Sequence, residues 1–326
     1  MAEATRTVAV IGATGTQGGS VARSLLQNTD FQVLCITRDI STSKAKELKA
    51  LGAKITQADT TSHKDLEVTL SGCWGVYINY TVFGMEPEVS ENLGKTILSS
   101  AAAANVKHVV FSSDPNTDQL TGGRVTLSAM SVKARAEKWA LDNLHFETFT
   151  PISAGWYLEN FMSPELEEFH GGFPTKKDDD GYLTLRLPYW GGKEQVPWIS
   201  MKDDYGDLVH GIFLNPLRWN LRLVQAVADP MPFEDLVRIF SQVTEKKARF
   251  TAFQSPAEMG GDLMEGPASM FVYTQLRDGE YYGNGPTENH SAAQLKNSVY
   301  QSKGGKGRQT LMTVREWFER EFPIGA

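Results

Sequence analysis

A glycine-rich segment set directly between a buried strand and a helix constrains this chain more than any other feature. Residues 7–11 form a short, nearly continuous apolar run, which is typical of a strand buried on both faces. Residues 12–18 then read GATGTQG, and residues 20–28 carry the apolar spacing of a helix. A strand, a glycine turn and a helix in this order predict the first unit of a dinucleotide-binding fold.

Strands and helices alternate through the rest of the N-terminal half. Further strands are predicted at 31–37, 54–58, 76–80 and 108–112, and the helices between them include 43–51 and 88–104. This alternation implies right-handed crossovers and a parallel sheet. We therefore expect an α/β fold. Residues 1–150 would form a Rossmann-type doubly wound parallel sheet, and residues 151–326 a smaller C-terminal α/β lobe interwoven with it.

The composition excludes several classes of function. The 326 residues carry a formal net charge of −7, whereas direct nucleic-acid binding needs a basic face. No run approaches the roughly 18 apolar residues of a membrane helix, and the N-terminus lacks a signal-peptide pattern. Two cysteines without a CxxC pair and six histidines without a spaced cluster predict no disulfide framework and no metal site. We expect a cytoplasmic protein, with the nucleus as the other compartment that keeps cysteines reduced.

The glycine segment has the residues that a pyrophosphate requires. Gly12 permits the sharp turn, Gly15 lets the backbone approach the phosphates, and Gly18 lets the helix pack closely on the strand. The N–H groups and the dipole at the helix start then face the anion. The alternative is a tight turn that binds no ligand. The segment predicts these cofactor-binding residues: Gly12, Thr14, Gly15, Thr16, Gln17 and Gly18.

The residues after the second and third strands bear on the choice of cofactor. Arg38 lies twenty residues beyond Gly18, where a Rossmann protein that selects NAD places an acid for the ribose 2′-hydroxyl. An arginine there pairs bidentately with a 2′-phosphate, which predicts NADP(H). Asp39 is the competing feature, since it is such an acid displaced by one residue. Asp59, at the end of the third strand, either reaches the adenine amino group or caps a helix.

Motifs along most of the chain match those of one family. They are 10–22 (VIGATGTQGGSVA), Thr37-Arg38, 109–113 (VVFSS), 120–124 (LTGGR), Lys133 with Glu137, 157–160 (YLEN), 196–197 (VP) and 207–209 (DLV). In these residues the chain resembles the NmrA-like family of atypical short-chain dehydrogenases/reductases, and within it the HSCARG type of NADP sensor. Residues 281–310 form a longer segment than is usual in that family.

The resemblance implies a nicotinamide site at Lys133, Tyr157 and Asn160. In the parent superfamily a Tyr-xxx-Lys pair reduces carbonyls: the lysine holds the nicotinamide ribose and the tyrosine passes a proton. Lys133 matches the lysine and is the candidate catalytic residue, but Ala129 stands where the tyrosine is expected. An exposed ion pair between Lys133 and Glu137 is the alternative role for the lysine.

A tyrosine from elsewhere in the chain is one way to replace the missing acid. Relatives of the isoflavone-reductase type work with a lysine and no tyrosine at this place, so Tyr80 and Tyr157 are candidates. Tyr157 and Asn160 follow the sixth strand together with Trp156 and Phe161, where this fold covers the nicotinamide. The same aromatic residues fit a hydrophobic core, which is the commoner place for them.

Two functions of different class remain open. The missing tyrosine favours a sensor, in which NADP(H) binding changes the conformation or oligomeric state and hence the affinity for a partner. The resemblance implies a partner such as a GATA-type transcription factor, with a homodimer as one oligomeric state. The alternative is an NADPH-dependent reductase of a small-molecule substrate. For the sensor we expect slow or absent turnover of generic aldehydes, ketones and quinones.

Overall fold

The computed structural model describes residues 5–82, 84–263 and 266–324, and its N-terminal half alternates between strands and helices. The elements of this half are β1 (Arg6–Ile11), α1 (Thr16–Leu25), β2 (Phe31–Thr37), α2 (Ser43–Ala50), β3 (Lys54–Gln57), α3 (His63–Leu70), β4 (Gly75–Ile78), α4 (Pro87–Ala103), β5 (His108–Ser113), α5 (Thr117–Thr121), α6 (Ser128–Asn143) and β6 (Thr148–Ala154).

The C-terminal half is less regular. Its elements are β7 (Trp156–Tyr157), β8 (Leu183–Pro188), β9 (Trp198–Ile199), α7 (Gly206–Leu214), α8 (Pro216–Trp219), β10 (Val224–Ala226), α9 (Phe233–Thr244), β11 (Ala248–Phe253), α10 (Ser269–Leu276), α11 (His290–Ser302) and α12 (Val314–Glu321). Short 3-10 turns occupy Leu158–Met162, Pro164–Leu166 and Pro256–Met259, and a π-helical turn, Met201–Tyr205, leads into α7.

Seven strands form one parallel sheet in the order β10-β6-β5-β4-β1-β2-β3. Strand β1 pairs with β2 on one side, where Val10 is opposite Cys35, and with β4 on the other, where Val10 is opposite Tyr77. The chain winds outward from β1 to β3 and then returns to start the other half at β4. The point where the strand order reverses therefore lies between β1 and β4. The predicted Rossmann-type doubly wound sheet is confirmed.

Helices cover both faces of the sheet. Because successive strand residues point to opposite faces, Val8 and Val10 of β1 pack in one core and Ala9 and Ile11 in the other. The first core is closed by α1, α7 and α11, and the second by α3, α4 and α6. This two-sided burial explains why the strand at 7–11 is a continuous apolar run in the sequence.

A smaller lobe has an aromatic core of its own. Strand β8 pairs in parallel with β11, and α9, α10 and α12 pack around this pair. Its interior contains Trp190, Trp198, Phe233, Phe240, Phe271 and Trp317, each fully buried. The two strands, the three helices and this core together form the smaller α/β lobe that was predicted for the C-terminal half.

Helix α1 begins at Thr16, four residues earlier than the sequence pattern predicts. Gly15 is the N-cap, with an extended backbone (φ −82°, ψ 173°), so the glycine turn is short. Gly18 and Gly19 then lie inside the helix, and both are buried. The prediction of a helix at 20–28 was wrong at its start because glycine is usually a poor helix former.

The segment 281–310 is held to the sheet domain by buried charges on α11 and the turn after it. Lys296 is 1% exposed, and its Nζ lies 2.8 Å from Asp207 Oδ2 and 3.0 Å from Asp204 Oδ1. Lys303 Nζ lies 2.8 Å from Asp207 Oδ1. A buried charge is stable only when it is paired, so these contacts fix α11 against α7.

No helix of 5–82, 84–263 or 266–324 is long and apolar enough to cross a membrane. The same ranges contain no group of three or more His, Cys, Asp or Glu side chains placed to hold a metal ion. Cys35 and Cys73 are buried free thiols, and burial raises the pKa of Cys35 to about 12.

Candidate cofactor and active site

Three strand ends meet where the strand order of the sheet reverses. Gly12 follows β1, Asn79 follows β4 and Asp114 follows β5. Gly12 has a φ of +76°, and a Cβ built on it would lie 2.7 Å from the carbonyl oxygen of Asn79. Only glycine accepts that conformation and that approach without strain. The crevice at this edge is where a doubly wound sheet binds its ligand.

The other two glycines of the loop have different roles: Gly18 permits close packing of the helix, and Gly15 leaves open space. A Cβ on Gly18 would lie 2.2 Å from the oxygen of Gly12, so Gly18 is needed for α1 to pack on the turn. Gly15 is exposed, its φ is open to any residue, and its Cβ would meet only the Gly12 oxygen, at 3.2 Å. The missing side chain at Gly15 thus leaves room above the helix start.

The start of α1 is suited to an anion. Its cap residue, Gly15, has no side chain to accept from the first N–H groups, and the first turn carries no acid. Thr14 is half-buried and Thr16 is exposed on either side of Gly15. Unpaired N–H groups and the positive end of the helix dipole attract phosphate oxygens. The loop therefore fits the pyrophosphate of a dinucleotide.

Arg38 and Asp39 directly follow β2, and they differ in whether their side chains are hydrogen-bonded to neighbouring residues. Arg38 is exposed, and its guanidinium makes no hydrogen bond or ion pair with the residues that the structure describes. Asp39 Oδ1 accepts a hydrogen bond from the N–H of Ser41 at 2.7 Å. Hydrogen bonds from Ser41 lower the pKa of Asp39. The carboxylate is thus held in the turn before α2, while the guanidinium is available to a ligand.

Asp59 lies in the turn after β3 and is exposed. Its Oδ1 accepts from the Thr61 hydroxyl at 2.7 Å and from the Thr61 N–H at 2.9 Å, and these bonds lower the pKa of Asp59. The N-cap of α3 is Ser62, which accepts from the N–H of Asp65. The alternative interpretation, that Asp59 caps this helix, is therefore wrong.

Lys133 of α6 lies between two of the strand ends. It is 8% exposed, and its Nζ is 3.3 Å from Asp114 Oδ2 and 3.4 Å from Asn79 Oδ1. The alternative of an exposed ion pair with Glu137 was wrong, because Glu137 instead accepts a hydrogen bond from the Ser113 hydroxyl. An ammonium group has three protons, so one N–H remains for a ligand after Lys133 has donated one to Asp114 and one to Asn79.

Two acids beside Lys133 have perturbed pKa values. Burial raises the pKa of Glu137 to about 7, although the hydrogen bond from Ser113 opposes the shift. Burial also raises the pKa of Asp114, and the neighbouring Lys133 opposes that shift. Groups with shifted pKa values that gather in a crevice are typical of functional sites.

Of the two tyrosines proposed as proton donors, one is connected to the glycine loop. Tyr157 is half-buried, and its hydroxyl accepts a hydrogen bond of 2.7 Å from Gln17 Nε2. Burial raises the pKa of Tyr157 to about 12, and the Gln17 hydrogen bond opposes this rise. The Tyr80 hydroxyl lies instead between α4 and α6, close to Gly94, and has no hydrogen-bond partner in the described part of the chain.

The remaining residues of the predicted site have mixed surroundings. Asn160 is half-buried in the 3-10 turn after Tyr157, and its side chain makes no hydrogen bond to the residues that are described. Trp156 packs within 5.3 Å of Trp190 and Phe161 within 5.4 Å of Phe173, measured between ring centroids. Trp156 and Phe161 therefore belong to the aromatic core of the smaller lobe.

Sequence reasoning missed Asn79 and Asp114 as neighbours of Lys133, and it missed the contacts of the Gln17 side chain. A signal for Asp114 was present, since it is among the first polar residues after a predicted strand that ends at the same edge as the glycine loop. Asn79 lies within the strand predicted at 76–80, so the sequence pattern did not place it at a strand end. Nothing in the sequence pattern indicates that the Gln17 side chain turns inward.

Comparison with known proteins places this arrangement in a family. The family model described as the NmrA-like family matches residues 4–290. The chain belongs to the NmrA-like family. The NmrA-like family domain-containing oxidoreductase himF of Aspergillus japonicus is 45% identical over 327 residues, covering 97% of this chain and 98% of that protein. The relative lnaB of Aspergillus flavus, which bears the same description, is 45% identical over 325 residues and 97% of each chain.

A solved structure shares the fold of this NmrA-like chain. Nmra, described as a negative transcriptional regulator and determined in complex with NADP, superposes with a TM-score of 0.71 at 19% identity, covering 98% of this chain and 95% of that one. The same protein in complex with NAD gives a TM-score of 0.73 at 18% identity. The predicted membership in the NmrA-like family is confirmed.

Proposed function

We propose that this NmrA-like protein is an NADP(H)-dependent oxidoreductase in which Lys133 holds the nicotinamide ribose and Tyr157 donates the proton. The observation that carries the proposal is the Tyr157 hydroxyl, which is hydrogen-bonded to the glycine loop through Gln17. Tyr157 would supply the acid, although Ala129 stands where the tyrosine of the Tyr-xxx-Lys pair is expected. The description of himF and lnaB as oxidoreductases supports an enzymatic role.

The cofactor would be bound along the carboxyl edge of the sheet. The loop from Gly12 to Gly18 would hold the pyrophosphate, and Arg38 the 2′-phosphate. Asp59 would face the adenine, with one carboxylate oxygen bound to Thr61. A reduced nicotinamide, when bound, supplies a hydride. Lys133 would donate its third N–H to a ribose hydroxyl, with Asn79 and Asp114 fixing the ammonium group.

The protein side of the reaction is a proton transfer. A carbonyl oxygen that gains an electron pair becomes an alkoxide, which is a stronger base than a phenolate. Tyr157 therefore transfers its proton downhill even with a pKa of about 12. Asn160, one turn later and without an internal partner, offers an amide to the nicotinamide or to the substrate.

Arg38 is expected to set the preference for NADP(H). In Arg38→Ala the ratio of NAD to NADP dissociation constants should fall by about 10- to 100-fold, since hydrogen bonds to a charged group contribute roughly 1.5–3 kcal/mol. Calorimetry with NADP⁺ and NAD⁺ on both proteins measures the ratio. Lys49→Ala removes another exposed cation, on α2, and should leave it unchanged. Equal affinity for the two cofactors in the unmodified protein would refute the assignment.

Turnover is the direct test of the oxidoreductase. We expect a panel of aldehydes, ketones and quinones to contain at least one compound that oxidises NADPH at a steady rate, followed by the loss of NADPH absorbance. Lys133→Ala should abolish that rate and weaken NADPH binding. Lys138→Ala is the control, because Lys138 is an exposed lysine on the same helix and pairs with Asp142. An equal loss in both variants would remove Lys133 from the mechanism.

The second candidate is a regulator whose partner affinity depends on bound cofactor. Ala129 at the place of the usual tyrosine favours it, and the partner would be a protein such as a GATA-type transcription factor, with a homodimer as one possible assembly. Occupancy carries a signal only if the bound and empty forms have unequal affinity for the partner. Capture of such a factor with and without NADPH tests this. Tight NADPH binding, cofactor-dependent capture and no turnover across the panel would favour the regulator over the reductase.

A further inference from the structure

The Gln17 side chain joins three hydroxyl groups that come from three separate parts of the fold. Its Nε2 lies 2.7 Å from the hydroxyl of Tyr157, and its Oε1 lies 2.7 Å from the hydroxyl of Tyr77 and 2.8 Å from that of Ser112. The Tyr77 hydroxyl is in turn 3.0 Å from that of Tyr205. Gln17 is 7% exposed, and Tyr77, Tyr205 and Ser112 are at most 1% exposed.

The direction of each hydrogen bond follows from the need to satisfy buried donors. With Gln17 Oε1 as the acceptor, Tyr205 donates to Tyr77, Tyr77 donates to Gln17, and Ser112 donates to Gln17. If the amide were reversed, its N–H group would face the Tyr77 and Ser112 hydroxyls, and neither hydroxyl would have an acceptor on Gln17. The first orientation gives both buried hydroxyls that acceptor and is therefore favoured.

This orientation fixes the role of the Tyr157 hydroxyl. The amide group that faces it is a donor, so Tyr157 accepts from Gln17 and keeps its own proton. That proton has no acceptor among the described residues. Donation from Gln17 stabilises the phenolate that remains after the proton leaves.

We propose that Gln17 is a positioning residue: its amide holds the Tyr157 oxygen as an acceptor, which leaves the Tyr157 proton for the substrate. The inference rests on the proposed role of Tyr157 as the proton donor. One proton moves from Tyr157 Oη to the heteroatom of the substrate, and the electron pair of the broken O–H bond stays on the phenolate. A water molecule later returns a proton to the phenolate. The residue thereby connects the loop that would bind the pyrophosphate to the residue that would donate the proton.

Two substitutions separate this role from a structural one. Gln17→Leu removes the donor to Tyr157. Gln17→Glu keeps the length of the side chain and an acceptor for Tyr77 and Ser112, but it presents Tyr157 with a carboxylate. In Gln17→Glu the Tyr157 proton is drawn to the carboxylate, so it should be less available than in Gln17→Leu. Because its buried hydroxyls stay satisfied, Gln17→Glu remains informative if Gln17→Leu does not fold.

The readout is the ionisation of Tyr157 itself, measured without substrate. A fluorinated tyrosine placed at 157 is more acidic than tyrosine, and its pKa is followed by fluorine NMR in the otherwise unmodified protein and in the variants. We expect the pKa to rise in Gln17→Leu and to rise further in Gln17→Glu. Gln27→Leu, at an exposed glutamine just after the same helix, should leave it unchanged. An unchanged pKa in both Gln17 variants would overturn the proposal, and a lowered pKa in Gln17→Leu would establish the reversed amide.

Kinetics complete the test with a substrate that is turned over. In Gln17→Leu we expect kcat to fall by about tenfold or more, while the dissociation constant for NADPH changes by less than about twofold. An equal loss of kcat and of NADPH affinity would mean that Gln17 only shapes the loop, and would overturn the proposal. If the pKa shifts as expected but Tyr157→Phe turns over normally, the proton-donor assignment fails while the hydrogen-bond assignment stands.

Discussion

Replacing Tyr157 by phenylalanine is expected to lower kcat by about 10²- to 10⁴-fold, which is the usual contribution of a general acid. The substitution removes one oxygen, and the ring keeps its place beside Gln17. Binding of NADPH should therefore change little. Steady-state kinetics measure kcat, and quenching of protein fluorescence by NADPH measures affinity in the same preparation.

The other tyrosines provide the controls for this result. Tyr189→Phe removes a hydroxyl from a residue that is 50% exposed, and it should leave kcat unchanged. Tyr80→Phe tests the second sequence candidate, whose hydroxyl lies between α4 and α6. A large loss of kcat in Tyr80→Phe with normal turnover in Tyr157→Phe would reverse the assignment of the acid.

Replacing Gly15 by valine is expected to weaken NADPH binding by at least about 100-fold while the protein remains folded, because the side chain would occupy the space of the pyrophosphate and displace several charge-assisted hydrogen bonds. The extended backbone at Gly15 is one that a β-branched residue adopts, and the added Cβ would meet the Gly12 oxygen at 3.2 Å, a contact that a small shift of the turn relieves. Calorimetry measures the affinity, and thermal unfolding of the cofactor-free protein checks the fold.

Gly18→Val provides the contrast with Gly15→Val. A side chain at Gly18 would meet the backbone of Gly12 at 2.2 Å, so this variant should lose thermal stability as well as binding. The comparison separates a glycine that the fold requires from one that a ligand requires. Normal NADPH affinity in Gly15→Val would mean that the glycine segment is a turn with no cofactor function.

The sheet and its helices could be predicted because each strand, turn and helix depends mainly on residues that are close together in the sequence. A strand buried on both faces is a continuous apolar run, and a βαβ unit places the glycine turn after the first strand. The start of α1 could not be predicted in the same way. Gly18 and Gly19 oppose helix formation locally, and it is the packing of the helix on Gly12 that stabilises it.

The contacts of the site could be predicted only in part. The position of Lys133 on a helix after the fifth strand was recoverable, but its partners Asn79 and Asp114 are distant in the sequence. Spacing on the helix suggested Glu137 instead, because i,i+4 neighbours are the only contacts that a single helix makes evident. Which strand ends meet depends on the order of strands in the sheet, and no local pattern contains that order.

One face of the sheet is covered by helices from both halves of the sequence, so its core can be completed only late in synthesis. Val21 and Leu25 of α1 are buried in one core with Leu208, Ile212 and Leu295, which are synthesised much later. Strand β10 likewise reaches β6 only after some seventy intervening residues. The first six strands therefore leave the ribosome with one apolar face only partly covered, by α1. Such a chain is exposed to aggregation during synthesis, and its final folding step waits for α7 and α11 to emerge.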